Sequence, residues 1–126
     1  MNFLRYYGLL ISLVILLTQC INADDGIFTQ AGVTTKVVDE TVVIGNNHGK
    51  PISYFAVEYE TAQLINWAAR SSPENTIANG SSKAIPWEEI MSDGLLQRDD
   101  RVIIYWWPAQ DSTLAPANTL QNIVVL

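Results

Sequence analysis

The stretch Arg101-Val102-Ile103-Ile104-Tyr105-Trp106-Trp107 decides the fold. Only its first residue is charged. The others are β-branched or aromatic, the types that suit a pleated and covered surface. Successive side chains of a strand point to opposite faces. Val102, Ile104 and Trp106 therefore share one face, and Ile103, Tyr105 and Trp107 share the other. Both faces are apolar, so the strand belongs in the middle of its sheet with cover on each side. In a sandwich of two layers, one face looks into the core and the other looks out. One of Trp106 and Trp107 is then core by construction, and its neighbour needs separate cover or faces solvent.

Working outward, Gln121 to Leu126 reads as a last short strand after a polar, turn-forming stretch from Pro108 to Thr119. It completes the same sheet; the alternative is an edge that adds to another chain. Upstream, Ile52 to Glu60 alternates, with Ile52, Tyr54 and Ala56 on one face and Ser53, Phe55, Val57 and Tyr59 on the other. Thr34 to Ile44 is rich in β-branched residues, and Asp39-Glu40 in its middle leaves open one bent strand or a tight hairpin. Gly45-Asn46-Asn47-His48-Gly49-Lys50-Pro51 is a turn signal. Thr61 to Arg70 has the spacing of a short helical turn, and Ser71 to Asn75 reads as loop. Ile77 to Pro86 reads as a turn and then an edge strand, because Pro86 has no N–H for a ladder. Pro86 to Met91 can instead open one helical turn, with Glu88 and Glu89 near its positive end. About five to seven short strands without a repeating helix signal predict an all-β fold. The expected architecture is a small antiparallel β-sandwich of immunoglobulin-like general shape, one domain over residues 24–126.

The first 23 residues read as an address. Arg5 is the only charge before Asp24, and Gly8 to Leu17 is almost unbroken apolar sequence. That run suits a signal-peptide helix and is short for a bilayer core of about 30 Å. Ala23 offers a small residue for cleavage, so residues 1–23 are expected to be removed and the protein secreted. Leu17-Thr18-Gln19-Cys20 gives an alternative: a lipobox, with Cys20 lipidated and the module anchored at a surface. An uncleaved anchor is the third reading.

The chain has 126 residues, with 7 Lys plus Arg against 13 Asp plus Glu, a formal charge of -6. Such a balance argues against a nucleic-acid partner, which needs a basic surface. A single Cys excludes an internal disulfide and a cysteine-rich zinc site. After cleavage no cysteine remains and no membrane span is expected. The domain must then be held by its apolar core alone.

Four segments also carry a resemblance: G-K-P-I-S-Y-F-A-V-E-Y-E-T-A at 49–62, I-N-W-A at 65–68, A-I-P-W-E-E-I at 84–90 and V-I-I-Y-W-W at 102–107. Their order resembles a group of small, mostly uncharacterised fungal and bacterial proteins with GKPIYYFAVE, INWAP, IPYSEI and VYWW segments. The resemblance covers roughly residues 42–107 of the chain. It supports the fold and implies no catalytic residue.

Candidate chemistry is sparse. Glu58 and Glu60, two apart on a strand, would share a face as an acid–base pair of a small hydrolase. Against this, they follow the apolar part of the strand, where carboxylates face water. His48 sits in a turn with no nucleophile elbow and no second His or usable Cys, so neither a catalytic triad nor a metal site is expected. Asp93-Gly94 and Asp99-Asp100 lack the spacing of an EF-hand and read as a hydrophilic loop. Asn79-Gly80-Ser81 is a glycosylation sequon on an expected turn. No cofactor is implied.

The aromatic residues carry the leading functional reading. Trp67, Trp87, Trp106 and Trp107 are many for so short a chain. Exposed Trp and Tyr faces stack on sugar rings and anchor protein interfaces. Trp87, one of Trp106 or Trp107, and Tyr59 are therefore the candidate platform of a non-enzymatic binding domain for carbohydrate or protein. The competing reading is that a disulfide-free sandwich uses these rings to fill its core.

Overall fold

A computed structural model describes residues 27–109 and 119–126. The segment 1–23 expected to be a signal peptide, Cys20 included, lies outside the described residues. Within them, eight strands form two antiparallel sheets of four, with almost no helix. The first sheet has the order β1 (Ile27–Gln30), β2 (Val33–Val38), β3 (Thr41–Asn46), β6 (Ser82–Pro86). The second has the order β5 (Thr76–Ile77), β4 (Ile52–Glu58), β7 (Arg101–Pro108), β8 (Leu120–Val125). The strand 101–107 is interior as its composition predicts, with β4 on one side and β8 on the other. Pro86 closes an edge strand. The expected β-sandwich is present. Its strand order, which the sequence left open, begins with a three-strand meander.

Local chemistry sets the turns. β1 joins β2 through Ala31 and Gly32, with φ of 50° and 84°. Such left-handed pairs match the twist of a hairpin. Gly32 is required there, because a Cβ would lie 2.5 Å from the backbone oxygen of Asn47. Asp39 has a φ of 51°, a conformation that Asp tolerates, so Thr34 to Ile44 folds as a hairpin and not as one bent strand.

The core lies between the sheets. Val33, Val42, Ile44 and Ile85 of the first sheet meet Ile52, Val102, Ile104, Trp106 and Val124 of the second. Each such side chain contributes about 1.5–3 kcal/mol on burial. Polar links cross this layer: Asn46 Nδ2 donates to the Ile77 carbonyl at 3.0 Å, and a second link runs through Asn122. Trp106 Nε1 donates to Asn122 Oδ1 at 3.1 Å, and Asn122 Nδ2 donates to the Val33 carbonyl at 3.0 Å. Asn122 is fully buried. A satisfied buried amide of this kind fixes one register between the sheets, since any slip would leave it unpaired.

The outer face of β7 is covered by the chain that follows β4. Trp67 packs on Tyr105 and on Phe55, each with ring centroids 4.7 Å apart, and lies 6.1 Å from Trp107. Trp107 Nε1 donates to Ser71 Oγ at 3.1 Å.

Two expectations are corrected, and two strands are added. The strand from Ile52 ends at Glu58, not Glu60, because the Glu58 carboxylate caps α1 (Tyr59–Ala62). The helical turn expected within 61–70 lies at Tyr59–Ala62 for the same reason, and residues from 64 onward run as loop. Strands β1 and β5 were not expected: each is short, and pairing with a neighbour defines it.

Candidate functional site

The structure separates the four candidate aromatic residues. Trp106 is 0% exposed and Trp107 is 2% exposed. Both indole N–H groups are bonded within the fold. Neither offers a ring face to a ligand, so they do not form a platform with Trp87 and Tyr59. Tyr59 is half-buried at the start of α1, and the Arg101 guanidinium covers one face of its ring at 3.8 Å.

Trp87 is placed differently. It begins a short 3₁₀ turn, Trp87–Glu89, right after the edge strand β6. Its backbone N donates to the Glu40 carbonyl at 3.1 Å, which ties the turn to the β2–β3 hairpin. The indole is half-buried against the core. Its Nε1 is buried and has no hydrogen-bond partner among the described residues. An unpaired buried donor costs about 1–3 kcal/mol, and such groups are rare enough in folded proteins to need a reason.

Trp87 lines a hollow of about 410 Å³ together with Glu40, Glu88, Ile90, Leu95 and Leu96. A neighbouring hollow of about 460 Å³ shares Glu88 and Ile90 and adds Tyr54, Glu89 and Met91. Volumes of this order hold a side chain or a small ligand. The two linings combine aromatic and aliphatic side chains with Ser92 and three carboxylates, Glu40, Glu88 and Glu89. Leu95 and Met91 at the rim are 92% and 48% exposed. The 3₁₀ turn is held to the second sheet by Met91, whose N donates to Ala56 O at 3.2 Å and whose O accepts from Glu58 N at 2.9 Å.

The remaining candidates have local tasks. Glu58 accepts from Glu60 N at 3.0 Å and from Thr61 N and Thr61 Oγ1 at 2.7 Å each. Burial pushes its carboxyl up, but these bonds and the Arg101 charge outweigh that and hold it below its ordinary value. A carboxylate used as a cap and kept ionised is a poor general acid. Glu60 is exposed on α1 and no longer shares a strand face with Glu58. His48 is half-buried; its Nδ1 lies 2.9 Å from the Ala31 carbonyl and its ring meets Trp106 edge-on at 5.2 Å. In the 93–100 loop, Asp100 Oδ2 accepts from Gln97 N at 2.8 Å, and the Asp100 carbonyl accepts from Leu126 N at 2.9 Å. Among the described residues, no three His, Cys, Asp or Glu side chains gather as a metal-ligand set. No helix among them is long and apolar enough to cross a membrane.

The sequence reading missed the carboxylates around Trp87 and the packing of half-buried Trp67 on Phe55 and Tyr105. Pro86-Trp87-Glu88-Glu89 was itself a signal, since an aromatic residue beside two acids on one tight turn cannot bury all three. Glu40 reaches the site only through the register that pairs Thr41 with Pro86, which no local pattern reports. No protein-family profile matches this chain, and comparisons with curated proteins and with solved structures returned no match.

Proposed function

We propose that this chain is an exported, non-enzymatic binding domain that holds a basic side chain of a partner protein in the hollow beside Trp87. The observation that carries the reading is the hollow itself: Trp87, Ile90, Leu95 and Leu96 share one lining with Glu40 and Glu88. An arginine or lysine has the matching form, an apolar stem with a charged head. The head gains from the carboxylates and from the indole face, a contact of about 0.5–2 kcal/mol. The overall charge of -6 favours approach of a basic partner. Export is supported by the leader sequence, with cleavage after Ala23 and secretion; an anchor at Cys20 is the alternative, and intact mass separates them.

Selection from a displayed random peptide library tests the ligand class. Selected peptides should carry Arg or Lys beside an apolar residue. Their affinity should fall about tenfold in Glu88→Gln, as loss of roughly 1.4 kcal/mol requires. Peptides that bind Glu40→Gln, Glu88→Gln and Trp87→Ala as well as the parent would overturn the site. Binding on a glycan array with no peptide selected would overturn the partner class.

A further inference from the structure

The Asn79-Gly80-Ser81 turn lies outside this hollow and has its own geometry. We propose that Asn79 is an N-glycan acceptor of the exported protein, an inference that rests on the export reading and not on the ligand. The donor is an oligosaccharide linked to a lipid pyrophosphate, the form a eukaryotic secretory pathway supplies. The bond between sugar C1 and the pyrophosphate oxygen breaks, its electron pair staying with the lipid pyrophosphate. A bond forms between C1 and Asn79 Nδ2, and one amide proton passes to a base of the transferase.

Several observations show that the folded domain accommodates the product. Asn79 and Ser81 are exposed, in a turn closed by Ser81 N donating to Ala78 O at 3.1 Å. Asn79 Oδ1 accepts from Gly49 N at 2.8 Å. None of the described residues accepts from Asn79 Nδ2, so the exposed carboxamide is anchored by its oxygen alone. The glycosylated amide keeps that oxygen, so the Gly49 bond survives modification. A Cβ built at Gly80 in the turn, or at Gly49 in the loop that binds Asn79, would meet nothing within 4 Å. Gly80 N donates to Asn46 O at 2.7 Å, so the turn is fixed to β3.

The turn is also remote from the hollow. β6 leaves it opposite Gly45 and ends opposite Thr41, beside Glu40 and Trp87. At a strand rise of about 3.3 Å per residue the two ends are roughly 13 Å apart. A glycan on Asn79 therefore shields one end of the sandwich and leaves the other open.

The full chain is expressed in a eukaryotic secretory host, with its own leader and, in parallel, with a host leader. Intact mass is read on protein from the medium before and after enzymatic glycan release in heavy-oxygen water. The expected result is a mass increase in hexose steps that collapses on release and leaves the heavy isotope on residue 79. Both Asn79→Gln and Ser81→Ala lose it; Ser81→Ala retains the Gly49 contact and so controls for turn damage. Secretion of unmodified protein from the host-leader version overturns the proposal. Glycosylated protein from the host leader, with none exported by the native leader, upholds Asn79 and instead overturns the export reading.

Discussion

Trp106 and Trp107 on β7 differ from Trp87 at the end of β6 in one respect that decides their roles. The two strand residues have every polar demand met: Asn122 serves one indole N–H and Ser71 the other. The corner residue has a buried N–H with no partner among the described residues, beside a hollow rimmed by acids. The same residue type thus closes the structure in one place and leaves it incomplete in the other. Folded proteins keep local inconsistencies of this kind at functional sites, at a cost in stability.

Substitutions sharpen the contrast, and the strand residues come first. Trp106→Ala should lose about 3–5 kcal/mol, the range for truncating a large core ring, and denaturant unfolding would measure it. Asn122→Ala should follow at about 1–3 kcal/mol, because it leaves the Trp106 donor unpaired in the interior. Ser71→Ala should cost about 1 kcal/mol or less, since Ser71 is exposed and water can replace it at Trp107. A loss for Ser71→Ala equal to that for Asn122→Ala would break the distinction between the sealed core and the covered outer face.

Acid should show a smaller effect. The Glu58 carboxyl titrates below the ordinary carboxylate range in the folded chain. Its contribution is therefore full above the ordinary Glu range, about pH 4.3, and fades as pH falls through the lower folded value. In Glu58→Gln that part of the acid limb should vanish, with the neutral-pH stability reduced by about 1 kcal/mol or less, as for loss of an exposed cap. An unchanged acid limb would remove Glu58 from its capping role.

Much of the sandwich was legible because β7 announces itself. A run apolar at both parities has few places to go except the middle of a sheet, and the parity correctly paired Ile104 with Trp106 and Tyr105 with Trp107. The edge placement of Ser82–Pro86 followed from one missing N–H. What stayed hidden depended on distant partners. The cover over Trp107 comes from Trp67 and Ser71, which are in a loop without periodicity. The end of β4 was misplaced because Glu58 was read by strand parity, although its carboxylate turns back to cap the following residues. Of the site, only Trp87 was legible; Glu40 joins it through strand register, and Leu95 through a loop whose path no pattern encodes.

The central claim is that Trp87 serves binding more than stability. Equilibrium unfolding of Trp87→Phe tests it most directly, because Phe keeps a ring and removes the unpaired N–H. The account predicts stability within about 1 kcal/mol of the parent, lost packing being offset by the removed orphan donor, together with loss of the selected peptide. A drop as large as that of Asn122→Ala, with peptide affinity unchanged, would contradict it and return Trp87 to the core.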